Sequence, residues 1–307
     1  MTAWHLLAGI ALAVIAALAS GWLFRAALVA VTRGELRRTL REAPLTAIFG
    51  MLVILLYLLV AVFAPLLAPF AEREVVGPQY MPWAAPHYLG TDNLGRDMLT
   101  RLIYGARNTV GIAFATTALA FLIGSVLGLW AATVGGWIDQ ALSRLVDALM
   151  ATPALIFLLL LLTIFGTSIV TLVLVIATID ATRVFRLARS VAQGIVVMDY
   201  VEAARLRGEG TWRLITREIL PNALAPLVAE FGLRFCFVFL AISALSFLGL
   251  GIQPPTADWG SMVRENATLI NFGDVTPLLP AGAIALLTVA VNFVVDWQLH
   301  RASGLRE

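Results

Sequence analysis

The side chains that could perform catalysis or bind a metal are sparse in this 307-residue chain. All 21 basic residues are arginine, which excludes a P-loop, whose lysine contacts nucleotide phosphates, and a lysine Schiff base. His5, His87 and His300 lack the spacing of metal ligands, and the single cysteine, Cys236, cannot form an internal disulfide. Neither an HExxH nor a Gly-x-Ser-x-Gly motif is present. We therefore expect no catalytic, cofactor-binding or metal-binding residues in this chain.

The composition places most of the chain in a lipid bilayer. Hydrophobic residues make up 60% and charged residues 13%, and the mean hydropathy of +0.91 lies far outside the range of soluble domains. The formal net charge of +2 is too small to indicate a nucleic-acid partner. Charged residues inside the apolar stretches need a partner or a cavity, because an isolated charge is costly at membrane depth.

The longest polar segment runs from Asp199 to Pro221 and contains the signals of a short helix. Asp199 and Glu202 have the spacing of a capping box with Asp199 as the N-cap, and Gly208 can end the helix in a left-handed conformation. Thr211 can cap a second short helix, and Pro221 suits the first turn of the next element. This helix–turn–helix knob is too short to have its own core, so we expect it to dock on a protein partner.

Two groups of charged residues lie within apolar stretches. Glu230 and Arg234 are four residues apart and share one helix face. Two interpretations stay open: they line a substrate path, or they form a structural ion pair. Asp180 precedes Arg183 by three residues, which favours a local ion pair over a proton relay.

The hydropathy pattern predicts seven membrane-spanning helices, at about residues 6–23, 44–67, 108–134, 145–165, 168–185, 222–247 and 277–297. Pro153 is expected to kink the fourth helix. The segments assigned to the cytoplasm contain 15 of the 21 arginines. By the positive-inside rule, the N-terminus lies outside and the C-terminus in the cytoplasm.

The first apolar stretch competes with a signal peptide, but no basic residue precedes Arg25, so a retained helix is favoured. The third stretch has small residues every four positions from Thr116 to Gly136. A similar series in the first stretch comprises Gly9, Ala13, Ala17 and Gly21. Both series indicate close helix packing.

Two further features are assigned to the ends of the spans. The arginine cluster from Arg96 to Arg107 is partly offset by Asp92 and Asp97, and we expect it to lie as a helix on the outer face. Four tryptophans near span ends fit the aromatic belts of a membrane protein: Trp130, Trp137, Trp259 and Trp297.

Three motifs occur in a fixed order along the chain. They are LGTDNLGRD with YGAR at 89–97 and 104–107, EAA with Gly208 and ILP at 202–204 and 219–221, and LSFLGLG with QPP and WG at 245–251, 253–255 and 259–260. Together they resemble permease subunits of binding-protein-dependent ABC importers, in the dipeptide, oligopeptide and nickel branch. The resemblance covers roughly residues 41–296.

The resemblance implies an all-α fold, a polytopic membrane helical bundle of the type I ABC importer permease class with about seven transmembrane helices. Six helices would form the core, and one would be an extra N-terminal helix. Residues 1–40 would comprise that helix and a basic cytoplasmic connector. Residues 41–307 would form the permease domain, with a cytoplasmic coupling loop at 190–221.

The same resemblance implies a permease subunit of an ATP-driven importer in a bacterial inner membrane, which forms half of the translocation path and works by alternating access. The implied partners are a second homologous permease, two ATPase subunits that bind ATP and magnesium, a periplasmic substrate-binding protein and membrane lipid. Coupling to the ATPases is expected through the EAA loop, at Glu202, Ala203, Ala204, Arg205, Arg207, Gly208, Trp212 and Pro221.

The resemblance implies di- or oligopeptides as substrates, with nickel, glutathione and glycosides as alternatives. A self-powered secondary transporter is the competing functional class. Such a transporter needs buried carboxylates as proton relays, and only Glu230 and Asp180 qualify.

Overall fold

The computed structural model describes residues 3–302, and the side chains of residues 15–301. The described residues are almost entirely helical and contain no β-strand beyond isolated bridges. The all-α prediction is therefore confirmed. The helices are α1 (Ala3–Val31), α2 (Gly34–Glu42), α3 (Leu45–Leu67), α4 (Met98–Gly105), α5 (Gly111–Val134), α6 (Gly136–Met150), α7 (Ala154–Phe165), α8 (Ile169–Val196), α9 (Asp199–Leu206), α10 (Thr211–Leu214), α11 (Leu220–Phe247), α12 (Trp259–Asn266) and α13 (Leu278–Ala302).

Two of the membrane helices are longer than the sequence predicts. The chain stays helical from Met98 to Val134 and from Thr211 to Phe247, through single π-helical turns at Ala106–Val110 and Ile215–Ile219. These two helices, together with α3 and α13, are the four helices among the described residues that are long and apolar enough to cross a membrane. The chain is therefore a polytopic membrane bundle.

The fourth predicted span is a broken helix. The axes of α6 and α7 differ by 87° across a break next to Pro153. This confirms the prediction of a kink, because proline cannot donate the backbone hydrogen bond that a continuous helix requires. Counted as one span, the pair raises the number of candidate spans to five. The predicted total of seven stays a prediction, since α8 carries charged residues and the first part of α1 has no described side chains.

Small residues bring α5 and α8 into close contact, as the sequence predicts. A Cβ atom added at Gly124 would lie 2.6 Å from the carbonyl oxygen of Ala181, and one at Gly128 would lie 2.7 Å from that of Phe185. Neither position has room for a larger side chain. This pair of helices forms the rigid centre of the bundle.

The first three helices are joined by an arginine. Arg25 of α1 donates hydrogen bonds to the backbone carbonyls of Leu40, Arg41 and Ala43 at the end of α2. These carbonyls have no partner within the helix, so a cation is favoured there. Gly21 contacts Leu45 of α3, whereas Gly9 and Ala13 of the predicted seam lie outside the described side chains. The N-terminal helix is thus attached to α3.

Candidate functional site

The short helix α9 begins one residue earlier than the capping box predicts. Its N-cap is Met198, and no side chain makes a cap hydrogen bond. The assignment of Asp199 as the N-cap is therefore wrong. Asp199 and Glu202 instead lie in the first turn, where their negative charges interact favourably with the positive end of the helix dipole.

The end of α9 confirms the role predicted for Gly208. Its φ angle is +80°, in the left-handed region. The amide of Gly208 donates to the carbonyl of Arg205 at 2.9 Å, and the amide of Glu209 donates to that of Ala204 at 3.2 Å. This pair of hydrogen bonds is a Schellman motif. Gly208 therefore sets the direction in which the chain leaves the helix.

One face of α9 packs on the chain itself. Val201 and Ala204 are buried in a small cluster with Leu214 and Ile195. Arg205 donates to the carbonyl oxygen of Thr133 at 3.0 Å, which attaches the loop to the end of α5. Ala204 is thus placed inside this chain, whereas the sequence suggests that it lies against a partner.

The other face of α9 is exposed and partly apolar. Leu206 is 84% exposed and Trp212 58% exposed, next to the exposed side chains of Glu202 and Ala203. Arg207 pairs with Glu209 at 3.1 Å, so its charge is satisfied within the loop. We call this surface the docking face. It is formed by Glu202, Ala203, Arg205, Leu206, Arg207, Gly208 and Trp212. The sequence analysis does not identify Leu206 as part of this surface, because its exposure depends on how α9 packs against α8.

The second half of the predicted knob is not a separate helix. α10 begins after Gly210 without a cap from Thr211, and it continues through the π-helical turn into α11. The prediction of a second short helix is therefore wrong. Leu214 and Ile219 are buried, and their packing keeps the helix continuous. Exposed Pro221 is the second residue of α11, in its first turn, where the missing backbone donor is tolerated.

The four charged residues within the bundle form one network. Arg234 contacts Glu230 at 2.7 Å on its own helix and Asp180 of α8 at 3.7 Å, and Arg183 contacts Asp180 at 3.0 Å. The predicted pair of Asp180 with Arg183 is observed, but its link to Arg234 was missed. A contact between residues so distant in sequence leaves no local signal. The network joins α8 to α11 and contains two charges of each sign.

At the far end of α11 from the docking face, the first and third motifs fold together. Asp92 is buried and contacts the Nε atoms of Arg96 at 2.7 Å and Arg101 at 3.1 Å. Arg96 and Arg101 also approach Glu265, at 3.3 Å and 3.6 Å. The expected helix is observed at Met98–Gly105, and its position on the outer face stays a prediction. Arg96 and Arg101 are buried, because Asp92 and Glu265 of α12 neutralise them.

The third motif completes this structure, which we call the cap (residues 72–109 and 257–266). Trp259 is only 2% exposed and donates from Nε1 to the carbonyl of Leu102 at 3.0 Å, so its assignment to an aromatic belt is wrong. A Cβ atom at Gly105 would lie 2.5 Å from the Trp259 ring. Asp258 accepts hydrogen bonds from Thr109 and Ser261, and burial raises the pKa of its carboxyl group.

A cavity of about 750 Å³ lies between α3, α5, α11 and α13. Its lining is mostly apolar, with Phe114 and Phe231 among the larger side chains. The charged and amide side chains that line it are Arg107 and Gln298. Neither Glu230 nor Arg234 lines this cavity.

Comparison with known proteins gives consistent matches. Residues 124–302 match the family model of the binding-protein-dependent transport system inner membrane component. A dipeptide transport system permease protein DppC of Alkalihalophilus pseudofirmus is 35% identical over 252 residues, covering 81% of this chain and 83% of that protein. A di/tripeptide transport system permease protein DppC of Pseudomonas aeruginosa is 35% identical over 257 residues, covering 81% and 85%. A glutathione transport system permease protein GsiD of Pectobacterium atrosepticum is 30% identical over 267 residues, covering 85% and 86%.

Proposed function

The chain belongs to the family of binding-protein-dependent transport system inner membrane components, and from that premise we propose that it is a permease subunit of an ATP-driven importer of di- or oligopeptides. The observation that carries this proposal is the docking face. It presents the exposed apolar side chains of Leu206 and Trp212 within the longest polar segment of the chain, which is typical of a protein-binding surface. The family is one of transport permeases, and the peptide substrate is supported by the relatives named as dipeptide permeases.

The proposal includes partners that this chain does not contain. The sequence has no lysine and so no P-loop lysine, and we propose that ATP and magnesium bind to separate ATPase subunits. A second permease would supply the other half of the translocation path. A substrate-binding protein would deliver the peptide at the opposite side of the membrane. We propose that the docking face contacts an ATPase subunit.

The geometry suggests how a movement at the docking face reaches the bundle. Val201 and Ala204 of α9 pack on Leu214, which lies at the start of the continuous helix that ends at Phe247. A displacement of α9 therefore tilts a 37-residue helix, about 55 Å long at 1.5 Å per residue. The far end of this helix leads into the cap, so movement of one end is transmitted to the other. This is the expected basis of alternating access.

We propose that Glu230 and Arg234 have a structural role. Both charges are satisfied within the chain, and both lie off the apolar cavity. The contact of Arg234 with Asp180 links α11 to α8, so the two helices are expected to move together.

The orientation proposed for the chain has the N-terminus outside and the docking face in the cytoplasm. The arginines near the docking face, such as Arg213 and Arg217, support it through the positive-inside rule. We expect a reporter that is active only outside the cytoplasm to be active when fused at residue 2. The same reporter fused after residue 209 serves as the internal control and should be silent. The reverse pattern would overturn the orientation.

The proposed function is tested by peptide uptake into proteoliposomes. The complete complex, with ATP inside the vesicles and the cognate binding protein outside, should accumulate radiolabelled alanyl-alanine. Uptake should stop when ATP is replaced by a non-hydrolysable analogue and should not respond to a proton gradient. Uptake driven by a proton gradient without ATP would instead identify a secondary transporter. Labelled glutathione and nickel, tested in parallel, separate the substrate alternatives.

A further inference from the structure

The cavity between α3, α5, α11 and α13 contains a cation without a counter-charge. The exposed side chain of Arg107 lines this cavity, and among the residues that the structure describes this side chain has no hydrogen bond, ion pair or ring contact. None of the side chains that line the cavity is acidic. An unpaired guanidinium at the edge of an apolar surface can bind an anionic partner, because it can make two parallel hydrogen bonds to a carboxylate.

The backbone around Arg107 has an unusual conformation. Residues Ala106–Val110 form a π-helical turn, a feature that occurs frequently at functional sites. The next two residues contact other parts of the cap: Asn108 donates to Glu72 at 2.8 Å, and Thr109 donates to Asp258 at 2.9 Å. The cap therefore fixes the turn on one side, while Arg107 lines the cavity on the other.

The cavity has the dimensions and chemistry of a site for a small peptide. Its volume of about 750 Å³ lies within the usual range for ligand pockets. Its apolar walls suit varied side chains, and the amide of Gln298 has no partner among the described residues. We propose that Arg107 binds the C-terminal carboxylate of the transported peptide as it passes from the cap into the bundle. This inference rests on the proposed function and assigns one substrate group to one residue.

The test compares Arg107→Gln with wild type in the reconstituted complex. With labelled alanyl-alanine and saturating binding protein, we expect uptake to fall about tenfold or more, the scale of a lost charge-assisted hydrogen bond. ATP hydrolysis stimulated by the binding protein should fall by less than twofold, so the number of peptides moved per ATP decreases. Arg107→Lys should retain an intermediate rate because it keeps the charge but loses the planar donor pair. A matched control is Arg144→Gln, which removes an exposed, unpaired arginine of α6 that does not line the cavity, and it should transport normally.

The outcomes separate this inference from the proposed function. If the wild-type complex shows no ATP-dependent uptake, the proposed function fails. If wild type transports and Arg107→Gln transports equally well, only the role of Arg107 fails. Loss of complex assembly in Arg107→Gln, measured by size-exclusion chromatography, would show instead that Arg107 pairs with an acidic residue of a partner subunit. A defect seen only in vesicles that contain phosphatidylglycerol, and absent in pure phosphatidylcholine, would assign Arg107 to a lipid headgroup and overturn the proposal.

Discussion

Gly208→Val is expected to abolish coupling between ATP hydrolysis and transport while leaving the permease folded. A valine at φ +80° has a β-carbon clash of about 1–2 kcal/mol, which disfavours the observed loop conformation by about five- to thirtyfold. Apart from Gly208 and its two chain neighbours, no heavy atom lies within 4 Å of the added Cβ, so the effect comes from the local backbone conformation. The Schellman motif should open, and the docking face should lose its shape.

The measurement is transport and binding-protein-stimulated ATP hydrolysis in proteoliposomes, and both rates should fall together. Gly273→Val is a strain-matched control. Gly273 has a φ angle of +76° with nothing within 4 Å of its added Cβ, but it lies near the cap. We expect this variant to retain coupled hydrolysis. Wild-type coupling in Gly208→Val, or equal losses in both variants, would refute the role given to the loop.

Asp92→Ala is expected to cause the largest loss of stability. Asp92 accepts hydrogen bonds from the amides of Leu94 and Arg96 and neutralises the guanidinium groups of Arg96 and Arg101. Without Asp92, two buried arginines would contact one carboxylate among the described residues, that of Glu265. Breaking a buried ion pair in this way costs about 3–5 kcal/mol. The cap should therefore loosen.

Thermal unfolding of the purified complex in detergent, followed by tryptophan fluorescence, measures this effect. Trp259 lies within the cap and should report its loosening directly. Asp92→Asn should be less damaging, because its side-chain oxygen can still accept the two backbone hydrogen bonds. Asp296→Ala is the control: it removes an exposed carboxylate of α13 and should leave the midpoint temperature of thermal unfolding unchanged. An unchanged midpoint in Asp92→Ala would show that the buried network does not stabilise the cap.

The sequence predicts well the features that depend on neighbouring residues. The apolar stretches define the membrane helices, Pro153 marks the break between α6 and α7, and Gly208 ends α9 in the left-handed conformation. The small-residue series predicts close packing of α5, because a helical repeat places its members on one face, and the structure shows that the neighbour is α8. Each of these signals lies within one helix or turn.

The features that the sequence misses depend on pairings between distant segments. Arg96 and Arg101 look like surface charges until Glu265 is brought beside them, and Trp259 looks like a belt residue until Gly105 makes room for its ring. The same holds for Thr211, whose capping signal is overridden by the burial of Leu214 and Ile219. In each case tertiary packing outweighs a local preference.

Photo-crosslinking from the docking face tests the central claim most directly. The native Cys236 is buried, so a Cys236→Ser background permits labelling at one new cysteine. Leu206→Cys and Phe272→Cys form a matched pair, since these side chains are 84% and 85% exposed near opposite ends of α11. Each is labelled with a maleimide-linked benzophenone in the assembled complex, and the adducts are identified by mass spectrometry. The account predicts an adduct with an ATPase subunit from Leu206→Cys and none from Phe272→Cys. An ATPase adduct from Phe272→Cys alone would contradict it.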